Sequence, residues 1–164
     1  MGKFNFKNEQ DFIETKEKAE EFYKTIGKVK CPYLKRRIAF NARGLRHLKF
    51  KSDQQARIKI DQYSRLKLLH LAPQVLEKSH TLQGIWHTKQ FEEQKTNKTN
   101  DRWRHIMKDI VFYEFIAVLD NIRLKVIVKE VIGGEKHFWS VIPCWGINKT
   151  TGKRILHGDN VEYN

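Results

Sequence analysis

Three charged side chains recur every four residues in a segment predicted to form a helix over residues 53 to 71. Arg57, Asp61 and Arg65 would lie on one face of that helix, because four residues make slightly more than one turn. Asp61 could then orient both guanidinium groups, and two oriented guanidinium groups can bind a phosphate bidentately. The same spacing is also typical of an exposed salt-bridge ladder, which contributes only roughly 0.3–0.5 kcal/mol per pair.

His47 is the histidine whose sequence setting most suggests chemistry. It follows Gly44, which predicts a turn, and lies beside Arg43 and Arg46, two candidate nucleic-acid-binding residues. An imidazole that titrates near neutral pH is suited to general acid or base catalysis. The seven histidines show neither the helical nor the short-loop spacing of metal ligands, so the sequence predicts no metal site and no cofactor.

The C-terminal half predicts an antiparallel meander of three strands, over residues 109–119, 122–131 and 135–144. The pairs Asp120-Asn121 and Gly133-Gly134 separate these segments and are typical of two-residue turns, which fix the register of the strands they join. In this register Val128 lies opposite Trp139, and Glu130 lies opposite His137. One face is expected to pack on the helices, and it comprises Val111, Tyr113, Phe115, Ala117, Leu119, Leu124, Val126, Val128, Trp139 and Val141.

The opposite face of the meander carries the remaining candidate site residues. The register places Glu114, Ile127 and Ser140 in one row, with Lys125 and Lys129 two residues on either side of Ile127. A carboxylate, a hydroxyl and two ammonium groups beside aromatic side chains would form an exposed platform for nucleic acid. The alternative is a solvent-exposed face with an incidental ion pair, and an error of one residue in the register would dissolve the row.

The charge balance points to a polyanionic partner. The chain of 164 residues carries 32 Lys and Arg against 19 Asp and Glu, a net charge of +13, and 40% of its residues are hydrophobic. A core of that size with that surface charge favours nucleic acid, although a basic surface can also serve solubility alone. No apolar run approaches the roughly 18 residues of a membrane span, which predicts a cytoplasmic protein without a membrane partner.

The predicted organisation is a single domain over residues 1–164, with a helical part over about 9–79, a loop over about 89–101 and the meander over about 107–145. The helices are expected at 9–26, 53–71 and 74–79, the second opening with a capping box at Ser52 to Gln55. A strand is expected at 36–41. The fold class is therefore α+β, with N-terminal helices packed on one face of a twisted antiparallel sheet.

These features resemble a known ribonuclease family over roughly residues 29 to 145. They are the segment Ala39–Leu48, the helix with Arg57 and Arg65 that ends before Ala72-Pro73, and the final strand Phe138–Pro143. In this order they are similar to the phage-associated branch of the barnase–EndoU–colicin–RelE superfamily. The resemblance implies a toxin-like, metal-independent endoribonuclease that cleaves RNA by attack of the 2′-hydroxyl. The positive face could in addition dock an acidic antitoxin or immunity protein.

The resemblance also implies catalytic roles by position. His47 matches the family's histidine, Arg57 and Arg65 its helix arginines, and Ser140 the small polar residue of its final strand. Glu114 is added as a proton-transfer group from the calculated register alone. Two alternatives stay open: a non-catalytic nucleic-acid-binding domain, and a basic interaction module that docks an acidic protein.

Overall fold

The computed structural model describes residues 6–95, 103–147 and 154–156, which form an α+β fold as the sequence predicts. None of the helices in these ranges is long and apolar enough to cross a membrane. The helices are α1 (Glu9–Ile26), α2 (Ala42–Lys49), α3 (Lys59–Leu68) and α4 (Ala72–Lys78), with a 3-10 turn at Leu69–Leu71. The strands are β1 (Lys28–Cys31), β2 (Arg36–Ala39), β3 (Phe50–Ser52), β4 (Gln55–Ala56), β5 (Gly84–Lys95), β6 (Trp103–Leu119), β7 (Ile122–Val131), β8 (Lys136–Pro143), β9 (Trp145–Ile147) and β10 (Arg154–Leu156).

Six of the strands form one sheet in the order β1-β2-β8-β7-β6-β5. Neighbouring strands are antiparallel except β2 and β8, which run parallel and pair where Ala39 lies opposite His137. The sheet is therefore mixed rather than purely antiparallel, because the β1–β2 hairpin adds to the outer edge of the meander. β2 pairs with β8 only at His137, and α2 and α3 also pack against β8.

Helix α1 is confirmed with the predicted bounds. The Asn8 side chain accepts a hydrogen bond from the Asp11 amide at 2.9 Å, and Gly27, with φ of 66°, ends the helix. Its buried side chains, Phe12, Ala19 and Tyr23, recur at helical spacing, and Ala19 and Tyr23 belong to the main core. This core fills the space between the helices and one face of the sheet, where it includes Phe115, Val126, Val128 and Val141.

The predicted helix over residues 53–71 is right only for its later part, since Lys59–Leu68 form α3 and Leu69–Leu71 continue it as a 3-10 turn. Its predicted start is wrong, because Ser52 and Gln55 pair across the short β3–β4 hairpin and cap no helix. Helix α2, which was not predicted, begins after Asn41, whose side chain accepts hydrogen bonds from the amides of Arg43 and Gly44. The following helix, α4, begins at Ala72 rather than Gln74, because Pro73 is tolerated in a first turn.

Gly44 is buried inside α2 and forms no turn, contrary to the prediction. A Cβ atom at this position would lie 2.6 Å from the Tyr23 hydroxyl and closer still to the Phe138 carbonyl oxygen. The missing side chain thus lets α2 lie directly against β8. His47 lies one turn further along α2, so this close approach also fixes the distance between His47 and the sheet.

We expect Gly44→Ala to destabilise the fold by about 1–3 kcal/mol, the usual cost of overpacking, because the obstructing carbonyl belongs to a sheet strand. Denaturant unfolding measures the change. Ala42→Ser, at an exposed position in the same helix, is the control and should change stability by less than about 0.5 kcal/mol. Equal stability of the two variants would contradict the packing of α2 on β8.

The meander is longer than predicted, and it gains a strand. β6 begins at Trp103 rather than residue 109, and β5, which was not predicted, pairs with it from Gly84 opposite Glu114 to Lys95 opposite Trp103. Part of the predicted loop over 89–101 is therefore strand, and residues 96–102 lie outside the described residues. The polar sequence of β5 is compatible with a strand because its backbone groups pair with β6 rather than with water.

The predicted register is right for half of the β7–β8 pair. Glu114, Ile127 and Ser140 lie in one row across three strands, as calculated. Nearer the turn the pairing shifts by one residue: Val128 lies opposite Phe138 and not Trp139, and Glu130 lies opposite Lys136 and not His137. The turn is longer than two residues, and a β-bulge at Trp139 then restores the calculated register.

The bulge changes which face each aromatic side chain occupies. Phe138 joins the main core, whereas Trp139 lies on the opposite face and packs with a second apolar cluster of Ile110, Phe112 and Ile127. That face is consequently covered rather than exposed. Lys125 and Lys129 are only 8% and 4% exposed, which contradicts the prediction that both lie on an open platform.

Candidate functional site

A continuous chain of hydrogen bonds joins four of the predicted catalytic residues. The Arg57 guanidinium donates to the His47 ring at 3.0 Å and to Asp61 at 3.2 Å. Arg65 donates to the second Asp61 oxygen at 2.8 Å and to the Ser140 hydroxyl at 2.6 Å. One carboxylate thus orients both guanidinium groups, as predicted, although only Asp61 and Arg65 belong to α3 and Arg57 lies two residues before it.

This chain is buried, so it is not the exposed ladder that the spacing alone also allowed. Arg57 and Arg65 are 3% and 5% exposed. Their donors face groups of the protein: Arg57 also donates to the His47 carbonyl oxygen at 2.9 Å, and Arg65 reaches Ser140 because α3 packs against β8. The two arginines therefore tie α2 and α3 to β8, and they support a site rather than line one.

The charge state of the chain follows from its partners. Burial opposes ionisation of Asp61, but the charges and hydrogen bonds of Arg65 and Arg57 outweigh it and lower the pKa of Asp61. Burial lowers the pKa of Arg57, and it lowers the pKa of Arg65 to about 10. At neutral pH one carboxylate is therefore held between two guanidinium cations.

The Arg57 bond fixes the tautomer of His47. A guanidinium has no acceptor atom, so the His47 Nε2 atom accepts and the ring proton lies on Nδ1. The ring also stacks on Trp139, with centroids 4.0 Å apart. Protonation at Nε2 would place two donors against each other, so this geometry favours a neutral, positioned imidazole over a proton carrier.

His47 also lines a cavity of about 530 Å³ between three parts of the fold. Helix α2 and the β3–β4 hairpin form one side, β5 forms the other, and β7 and β8 lie at its base. Cationic, aromatic and acidic side chains all contribute to its lining, which comprises Arg43, Arg46, His47, Phe50, Lys51, Ser52, Asp53, Gln90, Phe91, Glu92, Lys129 and Trp139.

Glu92 is the functional candidate that the sequence analysis missed. One of its carboxylate oxygens lies 2.9 Å from Lys129 Nζ and the other 3.0 Å from Arg43 Nη1. Burial opposes its ionisation, but the hydrogen bond and charge of Lys129, followed by Arg43, lower its pKa. The cavity therefore contains an ionised carboxylate bridged between two cations.

The bend of the long hairpin explains how Glu92 reaches these cations. Glu92 pairs with Ile106, four residues beyond Ile110, where the β6–β7 pairing ends, whereas Lys129 lies opposite Phe112. A flat hairpin would hold Glu92 about 20 Å along the sheet from Lys129, at about 3.3 Å per residue. The hairpin must therefore fold back over the face. The polar sequence of 84–95 carries no apolar alternation that would have predicted the strand or its bend.

Two polar ring atoms beside the cavity have no hydrogen-bond partner among the described residues. They are Nε2 of His137 and Nε1 of Trp139, and both are buried. Burial, followed by the charge of Lys129, lowers the pKa of His137 to about 4, so its ring is neutral at physiological pH. The Lys129 ammonium lies 4.3 Å from the Trp139 ring centroid, which adds a cation–π contact.

Glu114 and Lys125 are not brought to the cavity. They form their own ion pair at 3.1 Å, and neither lines the cavity. Lys125 is four residues from Lys129, about 13 Å along β7. The structure thus brings His47, Arg57, Arg65 and Ser140 into one network and Arg43, Arg46 and Lys129 into the adjoining cavity, whereas Glu114 and Lys125 lie apart from both.

Comparison with protein-family models, curated proteins and solved structures gave no match for this chain.

Proposed function

We propose that the protein binds RNA in the cavity and cleaves it without a metal ion. The observation that carries this proposal is the placement of the Glu92 carboxylate between Arg43 and Lys129, next to His47 and Trp139. Cleavage of RNA needs a proton acceptor for the 2′-hydroxyl and cations beside the phosphate, and these groups supply both. The order of features shared with the ribonuclease superfamily supports the same activity.

In the proposed reaction, an RNA phosphate takes over the contacts that Arg43 and Lys129 make with Glu92. The released carboxylate accepts the proton of the 2′-hydroxyl, whose oxygen then bonds to phosphorus while the bond to the 5′-oxygen breaks. The 5′-oxygen takes a proton from Lys129 or from water, and the two cations offset the charge on the phosphoryl oxygens. DNA cannot react in this way because it lacks the 2′-hydroxyl.

The buried network has a positioning role in this proposal. Arg57 holds the neutral His47 ring against Trp139, and Arg65 holds Ser140 of β8. Through these contacts the network sets the distance between α2, which carries Arg43, and the sheet, which carries Lys129. We therefore assign proton transfer to Glu92 rather than to His47 or Glu114.

The direct test incubates pure protein with RNA in excess EDTA and maps the ends of the fragments. We expect a 2′,3′-cyclic phosphate and a 5′-hydroxyl at each cut, while DNA of the same sequence and 2′-O-methyl RNA stay intact. Fragmentation that EDTA abolishes, or 5′-phosphate ends, would contradict the proposed chemistry.

RNA binding should depend steeply on salt. A chain with a net charge of +13 engages phosphates through Lys and Arg and releases their counterions, so several contacts should weaken affinity at least about tenfold between 50 and 200 mM salt. Fluorescence anisotropy with uncleavable 2′-O-methyl RNA measures this slope. A flat response would argue against nucleic acid as the partner.

A second candidate function is RNA binding without cleavage. It is favoured by the Arg57 bond to His47 Nε2, since that bond occupies the lone pair that a histidine base would need. The two functions differ in one result: a binder would show the salt-dependent affinity but leave RNA intact at every protein concentration.

A further inference from the structure

The Arg46 side chain is fixed in the cavity wall although it is 52% exposed. Its guanidinium carbon lies over the Phe50 ring, 4.9 Å from the centroid. Its Nη2 atom donates to the Asp53 carbonyl oxygen at 3.2 Å and lies 3.5 Å from a carboxylate oxygen of Asp53. An exposed arginine ordinarily samples many rotamers, so three contacts on one guanidinium indicate a defined orientation.

Phosphate binding alone does not account for this arrangement. Arg43 and Lys129 already supply cations beside Glu92, and the nearby Asp53 offsets part of the Arg46 charge. Phe50 and Asp53 instead hold the guanidinium in one place: its carbon lies over the Phe50 ring, and about half of the Arg46 side chain, 52%, stays exposed to a ligand. Planar guanidinium groups are surfaces on which nucleobases stack.

We propose that Arg46, supported by Phe50, is a stacking platform for one unpaired nucleobase. This inference rests on the proposed function and names its substrate class. Arg43 and Arg46 are three residues apart in α2 and are therefore neighbours on one helix face. A base on Arg46 thus belongs to a nucleotide at or beside the phosphate that Arg43 contacts. Bases within a duplex stack on each other, so the substrate is single-stranded RNA or an RNA loop.

The test compares Arg46→Lys with the wild-type protein, because lysine keeps the positive charge and removes the plane. We expect single-stranded 2′-O-methyl RNA to bind Arg46→Lys about fivefold or more weakly, the lower end of what one stacked base contributes. The wild-type protein should bind a duplex of the same sequence more weakly than the single strand. Arg37→Lys, at an exposed position of β2, is the matched control and should leave affinity unchanged.

Abasic substitutions separate stacking from a general disturbance of the fold. An abasic nucleotide at the position whose base stacks on Arg46 should weaken binding to the wild-type protein by the same factor as Arg46→Lys. The Arg46→Lys variant should bind this abasic strand no more weakly than it binds the intact strand. Additive losses, or equal binding of duplex and single strand, would overturn the stacking platform while leaving RNA binding intact. Failure to bind any RNA would overturn the proposed function as well.

Discussion

Glu92→Gln should lower single-turnover cleavage of RNA by about 10²–10⁴, the usual contribution of a positioned general base. The amide keeps the shape of the side chain, but its single oxygen can accept from only one of the two cations, Lys129 or Arg43, and it cannot take up the 2′-hydroxyl proton. Affinity for uncleavable RNA should stay the same or rise, because the carboxylate no longer competes with phosphate for the two cations. Cleavage and anisotropy measured on one preparation give both values.

Glu77→Gln is the matched control, since Glu77 is exposed on α4 and lies outside the cavity lining. It should leave cleavage and affinity unchanged. Full cleavage by a folded Glu92→Gln protein would remove Glu92 from the mechanism. Loss of activity in Glu114→Gln instead would return the assignment to the residue chosen from the register.

Asp61→Asn should destabilise the fold by about 2–4 kcal/mol. Removing one partner of a buried ion pair costs about 3–5 kcal/mol, and we reduce this figure because the Asp61 side chain is 30% exposed. Two buried guanidinium groups would then share one neutral amide. In a chain of this length the melting temperature should fall by roughly 5–15 °C at neutral pH. Asp109→Asn, whose side chain is 65% exposed, is the control and should have little effect.

The Asp61 effect should disappear in acid. Because the folded protein lowers the pKa of Asp61 below its ordinary value of 3.8, its ionisation stabilises the fold fully above that value. The contribution is lost as the pH falls through the lowered pKa. Wild type and Asp61→Asn should therefore converge in stability at low pH, as denaturant unfolding at several pH values would show. A constant difference down to low pH would mean that packing, not charge, causes the loss.

Local rules predicted those parts of the fold where one interaction decides the structure. Asn8 and Gly27 mark α1 because capping and positive φ depend on single residues. Asp120 and Asn121 both adopt positive φ, which fixes the β6–β7 register and hence the row of Glu114, Ile127 and Ser140. Asp61 also contacts Arg57 and Arg65 as predicted, although Arg57 lies before α3 and the burial of the two arginines was not predicted.

The parts of the fold that were not predicted depend on contacts between segments that are far apart in the chain. Helix α2 was not predicted, and it packs through Gly44 against Phe138, a residue far away in the chain. The alternation of polar and apolar residues does not reveal the bulge at Trp139. The bulge follows from the longer turn and from the two apolar clusters, on opposite faces of the sheet, that side chains of β8 fill. Glu92 reaches its partners only because a long hairpin folds back, and no local pattern in a polar strand encodes that bend.

The bulge in β8 places two adjacent aromatic side chains in different environments, and which side chain lies in which environment depends on the register of the strand. Phe138 stacks on Phe40 in the core while its neighbour Trp139 stacks on His47 beside the cavity, so a slip of one position would exchange the two environments. The indole meets the imidazole only in the native register, and contact with a neighbouring ring alters tryptophan emission. Fluorescence from Trp139, isolated by replacing the other tryptophans, should therefore report the completion of the cavity during refolding separately from the burial of the hydrophobic core.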